Sequence, residues 1–144
     1  MSSPEGRVVV RGNASGFFQE IVAGGYPLTS DEPATAGGTD RAPTPYDLLL
    51  AALGSCTSMT AGLYARRKGW PLESVTVHLT HSRIHAEDCA NCETKEGRLD
   101  RIDVAIELHG TLTDEQRARL LEITEKCPVH RTLQSEIDIR SRLA

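Results

Sequence analysis

The sequence predicts a two-layer α+β domain with two main helices packed on a mixed or antiparallel sheet. Three observations lead there. Two stretches with helical spacing are separated and flanked by stretches that alternate apolar and polar residues. The resulting order, β-β(-β)-α-β-β-α-β, buries its apolar faces best with both helices on one side of a sheet. A chain of 144 residues makes one compact domain the expectation, long enough to hold a core without disulfide staples.

The elements follow in order. Val8-Val9-Val10 and the run from Phe17 to Val22 are rich in β-forming residues, and Gly12-Asn13 and Gly24-Gly25 supply turns, which predicts a hairpin over about 7–29. Residues 30–43 have no periodicity and carry Asp31, Pro33, Gly37, Gly38, Asp40 and Pro43. So long an irregular loop in a small domain points to function. Thr44 then stands as an N-cap, Pro45 fits the first helical position, and Asp47 lies near the positive helix end. Leu49, Ala52, Leu53, Cys56, Met59, Thr60 and Leu63 recur at helical spacing until Gly69 and Pro71, so the helix covers about 45–68. Its centre, from Ala51 to Ser58, consists mostly of small residues, as expected where something approaches the backbone closely.

Val75, Val77 and Leu79 open a half-buried strand over about 73–85. Ile102, Val104, Ile106 and Leu108 alternate with Arg101, Asp103, Ala105 and Glu107 in another, over about 98–110. Thr113-Asp114-Glu115-Gln116 is a capping box for a second helix, expected over about 114–127 with Pro128 as its stop. Ile137 and Ile139 predict a last short strand over about 135–141.

Sixteen basic against twenty acidic residues give a formal charge of −4, which leaves no electrostatic footprint for nucleic acid. The apolar run from Leu48 to Leu53 is too short to span a bilayer, and Met1-Ser2-Ser3-Pro4 has no leader pattern, so no membrane role and a cytoplasmic location are expected. In that setting four cysteines are read as redox, catalytic or metal groups.

Cys56 lies on the apolar stripe of the first helix and reads on position alone as a small buried hydrophobe. It sits about three turns from the helix start, beyond the reach of the dipole, so a reactive thiolate there requires an Arg or His from elsewhere. Cys127 is placed at the end of the second helix, where the negative helix end disfavours a thiolate and Lys126, His130 and Arg131 favour one. Cys89 and Cys92 supply half of a four-ligand zinc site that His81 and His85 or a second subunit would complete. The alternatives are a structural disulfide or an unligated loop. The flanking Asp88, Glu93 and Glu96 raise thiol pKa values and speak against a dithiol catalyst.

Gly37-Gly38-Thr39-Asp40, then Pro43-Thr44-Pro45-Tyr46-Asp47-Leu48-Leu49-Leu50-Ala51-Ala52-Leu53-Gly54-Ser55-Cys56-Thr57, then Cys127-Pro128-Val129-His130-Arg131-Thr132-Leu133 together resemble the OsmC/Ohr family, the osmotically inducible and organic hydroperoxide resistance proteins. The resemblance covers essentially the whole chain. It implies an OsmC-like fold with a mixed sheet and an N-terminal hairpin exchanged in an intertwined homodimer. It also implies a thiol-dependent peroxidase that requires no cofactor, uses a hydroperoxide as substrate and takes electrons from a dithiol reductant. Cys56 is then the peroxidatic thiol and Cys127 the resolving one. The family's activating Arg falls on Arg11, preferred over Arg41 or Arg131, and its acid on Asp47, shifted by one place from the family pattern. The Cys89-x-x-Cys92 loop is not part of that pattern and marks a divergent branch.

Apolar side chains such as Leu53, Met59 and Leu63 are expected to line the site and favour organic hydroperoxides. Two other functions compete: a redox-sensing or binding module on the same fold, and a dimeric protein stabilised by zinc at Cys89 and Cys92.

Overall fold

The computed structural model describes residues 7–90 and 92–144; Met1–Gly6, which include the Met1-Ser2-Ser3-Pro4 start, and Asn91 lie outside the described residues. Where one compact domain is expected, the chain divides into two compact units, residues 1–49 and 50–144.

The N-terminal unit holds a three-stranded antiparallel sheet of β1 (Val8–Gly12), β2 (Gln19–Ala23) and β3 (Tyr26–Ser30), in that spatial order. Ala23 pairs with Tyr26, so Gly24 and Gly25 form a two-residue turn. Their φ values of 57° and 89° are the left-handed pair that such a hairpin requires. After β3, Asp31 is buried and organises the loop. Its carboxylate accepts from the backbone N–H groups of Glu32 (2.8 Å) and Arg41 (3.2 Å), and from the N–H and hydroxyl of Thr39. Gly38 is required here, because a Cβ would stand 2.0 Å from the Glu32 carbonyl oxygen.

Helix α1 spans Pro45–Lys68. Thr44 and Asp47 cap its start reciprocally: the Thr44 oxygen accepts from the Asp47 N–H at 3.1 Å, and the Asp47 carboxylate accepts from the Thr44 N–H at 3.0 Å. Gly69, at φ 69°, turns the chain out of it, and the Trp70 N–H closes the end on the Ala65 carbonyl at 2.9 Å.

The C-terminal unit pairs β4 (Leu72–His85) with β5 (Arg98–Gly110) in one antiparallel ladder, from Leu72 opposite Gly110 to His85 opposite Arg98. One face carries half-buried Val75, Val77, Leu79, Ile102, Val104, Ile106 and Leu108, while Thr76, His78, Asp103 and Glu107 stay exposed. Leu53, Ala61 and Ala65 of α1 are buried, as is Leu120 of α2 (Asp114–Thr124). The small residue Gly54 has a direct use in this packing. A Cβ there would stand 2.7 Å from Cδ1 of Leu79, so its absence lets β4 approach the helix. Thr113 and Gln116 form the expected capping box of α2. Arg117 donates to the carbonyls of Leu108 (2.6 Å) and Gly110 (2.9 Å), tying α2 to the end of β5.

Four expectations need correction. The strands form two separate sheets, each antiparallel, rather than one mixed sheet. The second helix stops at Thr124, and Pro128 begins a third, α3 (Pro128–Leu133), instead of only ending the second. Proline has no N–H to lose at a first helical position, so it serves as a start as well as a stop. Residues 135–141 join neither sheet, and Ile137 (50% exposed) and Ile139 (82%) stay in the open, because alternation alone supplies no strand partner. Finally, although the run from Leu48 to Leu53 is too short by itself, the whole of α1 is long and apolar enough to cross a membrane by length and composition. One face of it, with Leu53, Gly54, Thr57, Ala61 and Ala65, is buried.

Filling the Gly54 gap tests this packing. Gly54→Val should destabilise the C-terminal unit by about 1–3 kcal/mol through overpacking against Leu79, measured by urea denaturation. An unchanged midpoint would show that β4 does not rest on the helix there.

Candidate active site

Two thiols meet in the C-terminal unit. Cys56 follows Leu53 by one turn on α1, so the same helix phase that buries Leu53 and Thr57 turns Cys56 inward to a half-buried position. Cys127 sits in the break between α2 and α3 as the N-cap of the latter, with extended backbone (φ −63°, ψ 146°). This corrects the expected helix-ending position. The helix terminus beside Cys127 presents N–H groups, and its Sγ accepts from the His130 N–H at 3.4 Å.

Cys127 is fully buried, and both cysteines are free thiols. Burial is the main cause that pushes the Cys127 thiol above its ordinary value of 9.0. The His130 N–H and the Thr57 hydroxyl act the other way, while the Cys56 thiol, within interaction range, adds to the rise. A negative charge on Cys56 opposes a second one on Cys127. Cys127 is therefore held protonated.

A hollow of about 240 Å³ is lined by Leu53, Asp100, Ile102, Val104, His130, Leu133 and Gln134; neither thiol lines it, but Leu53 stands one turn before Cys56 and His130 donates its N–H to Cys127. Asp100 is held below its ordinary range, first by a hydrogen bond from His81 (2.8 Å) and further by Arg83. Of the three apolar residues expected at the site, Leu53 lines this hollow. Met59 (72% exposed) and Leu63 (42%) lie on the other side of the helix, since six residues after Leu53 the side chain has turned through about 240°.

The other expected residues are placed as follows. Cys89 and Cys92 are joined in a disulfide, the structural alternative to a metal pair, and bonded sulfurs are not the thiolates that zinc takes. Among the described residues no three His, Cys, Asp or Glu side chains converge to hold a metal ion. His81 lies with Asp100 and His85 is exposed.

Arg11 and Asp47 belong to the N-terminal unit, where Arg11 is exposed on β1 and Asp47 caps α1. Arg41 is fixed in the same unit, its guanidinium 3.9 Å over the Phe18 ring and its Nε donating to Thr39 at 2.9 Å. Arg131 is exposed on α3. Sequence reasoning missed Thr57, the His130 backbone donor and Asp31. Thr57 had a signal, standing next to Cys56 on the same inward face.

The family model for OsmC-like proteins matches residues 38–142, which include both thiols and the Gly38 loop. The chain belongs to the OsmC-like family. No curated protein matches it. Several solved structures share the fold of this OsmC-like chain at low identity. An OsmC-like protein from Mycoplasma pneumoniae is 21% identical with a TM-score of 0.69, over 89% of this chain and 86% of that one. The organic hydroperoxide resistance protein OsmC from Legionella pneumophila is 21% identical with a TM-score of 0.64, over 92% and 90%. The organic hydroperoxide resistance protein OhrB of Bacillus subtilis is 18% identical with a TM-score of 0.61, over 92% of each chain.

Two measurements check the electrostatics. Cys127 keeps its proton longer when folded than unfolded, so its contribution to stability is complete below pH 9.0 and declines as pH rises through its folded value. Iodoacetamide at pH 8 should accordingly modify Cys56 first and Cys127 several-fold more slowly until the protein unfolds, as read by peptide mass spectrometry. Asp31 has the opposite sign. Chiefly through Thr39 its pKa is lowered from 3.8 to about 2, so the support it gives the loop is present above pH 3.8 and lost on acidification towards 2. Amide exchange at Thr39 and Arg41 should accelerate over that window, and an Asp31→Ala chain should show the faster exchange at neutral pH.

Proposed function

We propose that this OsmC-like chain is a cysteine-based peroxidase that reduces organic hydroperoxides. One observation carries the reading: Cys56 and Cys127, far apart in sequence, are free thiols within interaction range, with the buried one held protonated. The Cys56 thiolate attacks the outer peroxide oxygen, the O–O bond breaks, and the alcohol leaves with a proton. The resulting Cys56 sulfenic acid then condenses with the Cys127 thiol, releasing water and forming a Cys56–Cys127 disulfide. Two electrons from a dithiol restore both thiols. The apolar wall at Leu53, Ile102 and Val104 suits an organic substituent on the peroxide. Arg11 is the proposed cation that stabilises the Cys56 thiolate, and Asp47 the carboxylate that orients it.

We propose further that the working form is a homodimer, in a reducing cytoplasmic setting. Met59 and Leu63 on α1, together with Val8, Val10, Tyr26 and Leu28 on the hairpin, are large apolar residues left exposed by the single chain. A second copy is the cover their chemistry calls for. Sedimentation at micromolar concentration should give twice the 15.7 kDa chain mass.

The activity test is steady-state consumption of cumene hydroperoxide with a dithiol reductant. Cys56→Ser should abolish it. Cys127→Ser should allow one round to the sulfenic acid and then stall. Arg11→Ala or Asp47→Asn should each slow the thiol by about tenfold, and an unchanged rate would remove that residue from the site. Absent turnover with a peroxide-induced Cys56–Cys127 bond would instead favour the sensor reading.

A further inference from the structure

Breaking the O–O bond of an organic hydroperoxide calls for a proton at the leaving oxygen. When the Cys56 thiolate takes the outer oxygen, negative charge develops on the inner one, and an alkoxide leaves poorly until an acid reaches it. With the organic substituent on the apolar wall of Leu53, Ile102 and Val104, that proton is needed inside the hollow those residues line. Two titratable side chains line it as well, Asp100 and His130. Asp100 cannot donate, because His81 (2.8 Å) and Arg83 (3.4 Å) hold its carboxyl ionised, below its ordinary range. Gln134 offers amide N–H groups, which hydrogen-bond but do not give up a proton. An imidazole exchanges its proton near neutral pH.

The ring of His130 is also uncommitted. His78, His81 and His109 each face a carboxylate, of Glu107 or Asp100. Half-buried His130 has no hydrogen-bond or ion-pair partner for its ring among the described residues. Its place relative to Cys56 is fixed from two sides. Its backbone N–H stands 3.4 Å from Cys127 Sγ, and that sulfur is within interaction range of Cys56. Its side chain borders the first hollow together with Leu53, and a second, of about 200 Å³, together with Thr57. Leu53 and Thr57 bracket Cys56 on the buried face of α1.

We propose that His130 is a catalytic acid, its imidazolium protonating the leaving oxygen of the organic hydroperoxide; the inference rests on the peroxidase reading. The Cys56 sulfur bonds to the outer oxygen, which keeps its hydrogen and becomes the sulfenic acid. The O–O electron pair passes to the inner oxygen, which takes the proton from His130 and departs as the neutral alcohol. The imidazole left behind regains a proton from water. Cys56 is oxidised and the peroxide reduced by the same two electrons. The task differs from the one proposed for Arg11, since a guanidinium supplies charge but no proton.

His130→Gln tests this, because glutamine keeps the backbone N–H at Cys127 but carries no transferable proton. Fully reduced chains, wild type and variant, are mixed at pH 7 with cumene hydroperoxide, which must expel an alkoxide, or with perbenzoic acid, which expels a carboxylate that is stable without a proton. The rate of the first Cys56 oxidation is read by rapid quench and peptide mass spectrometry. The variant should slow with cumene hydroperoxide by about a hundredfold, and by at least about tenfold more than with perbenzoic acid. Equal slowing with both peroxides, or an unchanged rate, would overturn the acid role while the peroxidase stands. Wild type alone gives a second reading: across alkyl hydroperoxides its rate should depend only weakly on the acidity of the leaving alcohol, and a steep dependence would overturn the proposal. No oxidation of wild type by either peroxide would overturn the peroxidase reading itself.

Discussion

Two thiols meeting at a break between helices are the constraint on which the site depends. If α2 ran on through Cys127, that residue would continue the phase of α2. The stop at Thr124 and the restart at Pro128 instead leave Cys127 with extended backbone, its sulfur buried and accepting from the His130 N–H. Burial then separates the two cysteines chemically, because a thiol without water is costly to ionise and one beside another sulfur more so. In the proposed peroxidase that difference sets the order, the half-buried Cys56 sulfur first and the buried Cys127 sulfur second.

The same unit explains why α1 is built from small residues. Gly54 admits Leu79 of β4, and Leu53, Thr57, Ala61 and Ala65 complete the buried face. The opposite face keeps Met59 and Leu63 in the open. A helix apolar on both sides, with one face covered and the other bare, fits the homodimer proposed above.

Much of this was legible in the sequence, for reasons particular residues make plain. The Thr44, Pro45 and Asp47 start and the Gly69 stop bracket α1 because caps are local chemistry, and the alternation from Ile102 to Leu108 reports one covered sheet face. Pro128 was ambiguous, since the residue that ends one helix equally starts another. The C-terminal alternation at Ile137 and Ile139 has the pattern of a strand but finds no strand partner among the described residues. Asp31 was hidden among Glu32 and Asp40, because which carboxylate of a loop becomes buried depends on contacts with Thr39 and Arg41 that no periodicity encodes. The pairing of Cys56 with Cys127 came from the family resemblance, since spacing carries no signal for it.

The most direct test traps the first bond to form. Fully reduced protein is mixed with one equivalent of cumene hydroperoxide, quenched with acid within the first turnover, alkylated and mapped by mass spectrometry. A bond between Cys56 and Cys127, preceded by a sulfenic acid on Cys56, is the predicted result. Sulfenic acid on Cys127 with Cys56 still free, or peroxide consumed while both thiols remain reduced, would contradict it.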